Sequence, residues 1–146
     1  MIRAQLRRLL RDIRGNVAMM FAASLFPLAF LTGMAIDYTI ASDRQAQLNG
    51  FADAAALAAV TPSMMAQSDA NAKTAAQNTF NSQAQQLTTI NYSPSNLNVS
   101  VSTTAGKRTA TVTYTAASPT FFSSLLGTNQ LNRGGTATAT GGLPPD

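Results

Sequence analysis

Few side chains in this sequence can carry out chemistry. It contains no cysteine and no histidine, which removes disulfides, thiolate or imidazole metal sites, Cys/His nucleophile pairs and the Ser/His/Asp triad. Its six carboxylates, Asp12, Asp37, Asp43, Asp53, Asp69 and Asp146, are scattered over separate segments, so no paired acid and base can be read from spacing. No glycine-rich phosphate loop is present. The expectation is a protein that is not an enzyme, with no cofactor, no metal and no small-molecule substrate. One junction stands out. Arg14-Gly15 closes a short basic stretch immediately before a long apolar run. Gly15 and Asn16 are therefore either the two sides of a leader-peptide cut or an ordinary glycine and its neighbour at a membrane boundary.

The elements that position this junction begin with the apolar run. From Gly15 to Ile36 the chain has 22 residues without a charge, which as a helix measure roughly 33 Å, enough to cross the hydrocarbon core of a bilayer. A secretory signal is shorter and ends in a small-x-small site, whereas this run leads into Asp37 and Tyr38. Pro27 lies inside it, and a membrane helix accommodates a proline with a local kink. Asp37 reads first as the marker of membrane exit, since a charge placed deeper is costly.

Charge gives the direction of crossing. Arg3, Arg7, Arg8, Arg11 and Arg14 against Asp12 leave +4 in the first fourteen residues, which equals the net charge of the whole chain. The basicity therefore belongs to the flank of the apolar segment and not to a nucleic-acid surface, and no interleaving of aromatic and basic residues suggests one. Arginines at that flank stay on the cytoplasmic side. Arg7, Arg8, Arg11 and Arg14 are the residues expected to set topology, with residues 1–14 as a basic cytoplasmic segment, 15–36 as the transmembrane helix and 37–146 as an extracytoplasmic domain.

Beyond Asp37 the helix is expected to continue to about residue 60, with Ile40, Leu48, Phe51, Ala55 and Ala58 near one face. The stretch "ADAAALAAV" is either a good helix former or a close-packed contact, because alanine lets backbones approach. Asp53 within it reads first as a solvated helix residue and second as an assembly contact. Together with Pro27 and Asp37, the residues Asp53, Ala54, Ala55, Leu57 and Ala58 form the candidate helix-packing set. Thr61-Pro62 ends the helix. A second helix is expected over about 69–87, with Asp69 as its N-cap and Ala72, Ala76, Phe80, Ala84 and Leu87 as a core stripe. The period then changes to two. Strands are expected at about 97–103 and 109–116, joined by a turn at "AGKR", with a third at 135–140 and "GGLPPD" as a frayed tail.

"RGNVAMMFAASLFPLAFLTGMAIDY" followed by "LNGFADAAALAAV" resembles the N-terminal segment of TadE/TadG-like proteins of the Tad (tight adherence) Flp-pilus assembly system. "SPTFFSSLLG" and "GGTATATG" resemble, more weakly, that family's phenylalanine-containing turn and closing strand. Processed members of the family carry a glutamate five residues after the glycine, where this sequence has Met20, so the resemblance implies a TadG-like chain that keeps its N-terminus. The chain lacks the length and the Asp-x-Ser-x-Ser motif of the von Willebrand-type domain found in longer relatives, which makes a short TadG-like form the expectation.

The fold class expected is α+β and pilin-like: a long N-terminal transmembrane helix continuing into a small extracytoplasmic domain with a second helix and a short antiparallel β-sheet. The resemblance implies a structural minor pilin or pilus-assembly factor held in the bacterial inner membrane, with other pilins or pilus-assembly proteins as partners. A membrane-anchored periplasmic binding or sensing domain unrelated to pili is the alternative.

Overall fold

The computed structural model describes residues 15–142. Arg7, Arg8, Arg11 and Arg14 lie outside the described residues. The first element, α1 (Asn16–Ala58), is a single helix of 43 residues that passes through Pro27 without interruption. At 1.5 Å per residue it is about 65 Å long, so an apolar half and an alanine-rich half share one rigid axis. It is the one helix among the described residues that is long and apolar enough to cross a membrane, which fits membrane anchoring.

The two halves of α1 have different surroundings. From Asn16 to Ala29 every residue is exposed. Ser24 and Thr32 donate their hydroxyls to the carbonyls of Met20 and Leu28 one turn back, at 2.6 and 2.9 Å, so that neither presents an open donor to an apolar surrounding. From Gly33 onward a narrow stripe is buried: Gly33, Asp37, Ala41, Leu48, Ala52, Ala55 and Ala56. Spacings of three, four and seven residues, with Ala55 and Ala56 adjacent, keep its members on one face.

After Ala59 the chain turns through α2 (Pro62–Met65), with Pro62 in the first helical turn where a missing N–H costs nothing. The next helix, α3 (Asp69–Ala84), buries Ala72, Ala76, Phe80 and Ala84 of the expected stripe; it ends three residues earlier than expected, and Leu87 packs partly buried against the core from beyond the helix. Its N-cap is Ser68, whose hydroxyl accepts the Asn71 N–H at 3.2 Å. The expectation that Asp69 caps the helix is corrected, because the Asp69 carboxylate turns away to the sheet, where Thr103 Oγ1, Thr103 N–H and Arg108 Nε all donate to it.

The sheet is an antiparallel meander in the order β1-β2-β3, formed by β1 (Leu97–Thr104), β2 (Lys107–Pro119) and β3 (Gln130–Gly142). Ala105 and Gly106 join β1 to β2 with positive φ at both positions, the geometry of a type I′ hairpin that matches strand twist. β2 and β3 are longer than expected, and Gly141 and Gly142 pair with Arg108 and Lys107 instead of fraying. One face of the sheet supplies Val99, Ala110, Val112, Tyr114, Ala116 and Ala137 to the core against α1 and α3. The other carries paired threonines, Thr111 with Thr138 and Thr113 with Thr136. The Phe80 ring lies 5.4 Å from those of both Tyr92 and Tyr114. The Tyr114 hydroxyl donates to Asn49 Oδ1 on α1 at 2.7 Å, and burial pushes its pKa up to about 12, so it stays a donor. Gly135 makes room for this pair: a Cβ there would stand 2.3 Å from Asn49 Oδ1.

Candidate functional site

The distinctive arrangement lies where α1 leaves the head domain. Between β2 and β3 the chain makes a loop over 120–129 with a single 3-10 turn, Ser123–Leu126. This loop reaches down along α1. The Asp37 carboxylate receives it: Oδ1 accepts the Phe121 N–H at 2.9 Å, and Oδ2 accepts the Phe122 and Ser123 N–H groups at 2.9 and 2.7 Å. Asp37 is only 4% exposed, and a buried carboxylate is tolerable when hydrogen bonds of this kind take the place of water. The three donors are amides at the start of a helical turn, where backbone N–H groups lack internal partners.

One turn toward the N-terminus, Gly33 gives the loop its seat. A Cβ at Gly33 would fall 2.3 Å from Cγ of Phe122, so the Phe122 ring lies directly on the helix backbone. Gly33 and Asp37 are four residues apart and therefore on the same face, one accepting a ring and the other a set of amides. Below them Phe122 and Leu125 border an apolar cavity of about 180 Å³ with Phe26, Ala29 and Phe30. Above them the Arg133 guanidinium of β3 stands over the Tyr38 ring at 5.0 Å, a cation–π contact. Arg133 Nε is buried without a hydrogen-bond partner among the described residues, and other atoms of the residue line an open groove of about 590 Å³ together with the polar side chains of Asn91, Gln130 and Asn132.

A second cluster holds the opposite end of the head. Arg108, 3% exposed, donates Nε to Asp69 Oδ1 at 3.1 Å and to Thr103 Oγ1 at 2.9 Å, and Nη2 to the carbonyl of Gln67 at 2.6 Å. The Thr103 hydroxyl, the loss of water and the Arg108 charge act together on Asp69, and the net result holds its carboxyl below the usual value of 3.8. This cluster staples the entry of α3 to the β1–β2 hairpin.

The residues singled out from sequence fall in different surroundings. Gly15 has open space where a side chain would point, and Asn16 begins α1 beside it, also exposed. Pro27 is exposed with the rest of the apolar half. Ala55 is fully buried in the head's own core, Ala54 and Ala58 are partly buried, and Asp53 and Leu57 point outward. The candidate packing set thus covers two faces of α1. Ile40, expected on the buried face, is exposed, and Ala41 takes that place. Asp37 read as a membrane-exit marker leaves out its three amide partners. The signal that could have found them is "TFFSSLLG": two apolar pairs in a body otherwise rich in threonine and serine need a surface to lie on.

No curated protein and no solved structure matches the chain. The segment that holds α1, α2 and the start of α3 does find a match: residues 15–71 fit the model of the family described as putative Flp pilus-assembly TadE/G-like.

Proposed function

We propose that the chain is a structural minor pilin or assembly factor of a Tad/Flp-type pilus, acting by helix packing in the bacterial inner membrane. The observation that carries this reading is the bare apolar half of α1. Val17, Met19, Met20, Phe21, Phe26, Leu28 and Leu31 are all exposed, and the head covers α1 only from Phe30 onward. A helix with no cover from its own domain has lipid or other helices as its partners, and association there rests on side-chain packing. The arginine flank supports a cytoplasmic N-terminus with the head in the periplasm or outside the cell. The outward residues Asp53 and Leu57, with the uncovered parts of Ala54 and Ala58, are what the alanine stretch leaves for a partner, because Ala55 belongs to the core.

A photo-crosslinking residue at Leu28, in the full chain and in cells that assemble Flp pili, tests this reading. Adducts to pilins or other pilus-assembly proteins, together with loss of pili when the gene is removed, are expected. Adducts to lipid alone and intact piliation in the deletion strain refute it. The polar groove beside Arg133 supports the second reading, a membrane-anchored periplasmic binding domain, which that refuting result would favour.

A further inference from the structure

We propose that the β2–β3 loop is a second membrane contact: its tip, Phe121, Leu125 and Leu126, enters the acyl-chain region of the leaflet on the head's side. This rests on the membrane-anchor part of the reading above and is independent of any role in pili.

Depth is the first ground. Leu125 and Phe122 border a cavity with Phe26, Ala29 and Phe30. Phe30 lies seven residues before Asp37, about 10 Å along the axis at 1.5 Å per residue. If α1 crosses the bilayer up to Ile36, a side chain beside Phe30 lies well below the headgroups, because half of the hydrocarbon core is only about 15 Å thick. The loop cannot stay in water while its 3-10 turn touches that part of the helix.

Composition is the second. Phe121, Leu125 and Leu126 are 79%, 69% and 63% exposed, continuous with the bare side chains of α1. The chain has no charged residue between Arg108 and Arg133. Arg133 itself stands over Tyr38, one residue past Asp37 on the head's side, which puts a cation and an amphipathic ring where headgroups would lie.

Backbone satisfaction is the third. The amides of Phe121, Phe122 and Ser123 go to Asp37, and those of Leu125, Gly127 and Thr128 go to the carbonyls of Phe122, Ser124 and Ser123. The Ser124 and Thr120 hydroxyls donate to the Phe121 and Thr128 carbonyls. Each of these bonds pairs a polar group that would otherwise leave water without a partner, which lowers the cost of placing the apolar tip among acyl chains.

The natural sequence has no tryptophan, so single reporters are clean. Leu125→Trp, Leu126→Trp, Leu28→Trp and Ser102→Trp are prepared in the full chain and reconstituted in phosphatidylethanolamine/phosphatidylglycerol vesicles, with and without bromine on the acyl chains. The proposal expects blue-shifted emission from the Leu125 and Leu126 variants, a loss of intensity in brominated vesicles comparable to that of Leu28→Trp, and no loss for Ser102→Trp on the exposed edge of β1. Quenching of Leu28→Trp with red-shifted, unquenched emission at 125 and 126 overturns the loop contact and leaves the anchor standing. Blue-shifted but unquenched emission at 125 and 126 means that protein, such as a second copy, covers the tip, and also overturns the proposal. Absence of quenching at Leu28 overturns the anchor and the loop contact together.

Discussion

Replacing Asp37 separates its role as a clamp from its role as a charge. Asparagine has nearly the same shape but only one acceptor oxygen. Turned toward the Oδ2 position, that oxygen keeps the Phe122 and Ser123 amides, and its NH2 group then faces the Phe121 N–H, donor against donor. One charge-assisted bond is lost, roughly 1.5 to 3 kcal/mol, and two fall to neutral strength at about 1 kcal/mol each, for a total of about 4 kcal/mol. That is on the order of a thousand-fold in the ratio of docked to undocked loop. Asp37→Ala removes all three acceptor contacts, and the loop lets go instead of burying open donors. Amide hydrogen exchange of the purified full chain in detergent micelles reads this directly. Protection at Phe121, Phe122 and Ser123 should fall by up to the same factor in Asp37→Asn and vanish in Asp37→Ala, while Val112 and Tyr114 on β2 keep theirs. Unchanged protection at 121–123 in Asp37→Ala would refute the clamp.

Gly33→Ala places a methyl group 2.3 Å from Phe122 Cγ, a separation that carbon atoms do not sustain, so the ring must leave; faster chymotryptic cleavage at Phe122 than in the parent is expected, and equal rates would show that the seat is not needed. Ala55→Leu overpacks a fully buried site at a cost of about 1 to 3 kcal/mol; the purified chain should melt at lower temperature even with no partner present, and an unchanged melt would move Ala55 out of the core. Asp69 titrates below its ordinary value when folded, so its contribution to stability is complete above about pH 4 and is lost as pH falls further through the folded pKa. The stability gap between the parent and Asp69→Asn should accordingly be constant near neutrality and shrink in acid, and a gap that widens as pH falls would contradict the assignment.

The parts of this fold that depend on period were legible in the sequence. The charge-free run shows by its length where α1 begins, while the alanine stretch, the Ala72–Ala76–Phe80–Ala84 stripe of α3 and the alternation of the hairpin each report a face that must be buried. Strand ends were less legible. The third strand is expected over 135–140 with Gly141 and Gly142 in the tail, yet it runs from Gln130 to Gly142; within it Gly135 leaves the space that the Tyr114–Asn49 pair occupies. The clamp was least legible, since Asp37 and its amide partners are 84 to 86 residues apart and backbone donors leave no mark in a sequence. The same holds for Arg108, whose carbonyl partner at Gln67 is 41 residues away.

One local pattern does carry the clamp, and it shows what the clamp controls. Gly33 and Asp37 are spaced one turn apart, in line with Ala41 and Leu48 on the buried stripe, so the face that receives the loop is the face that enters the core. Each residue of a helix turns about 100° around the axis. Moving the carboxylate by one position would therefore carry it off that face, and the loop would lose its acceptor while the rest of the head stayed packed. Two attachments on one stripe, the core above and the loop below, fix the roll of the apolar half relative to the head. In the proposed helix-packing role, the head's orientation then decides which side of that half meets a neighbouring helix.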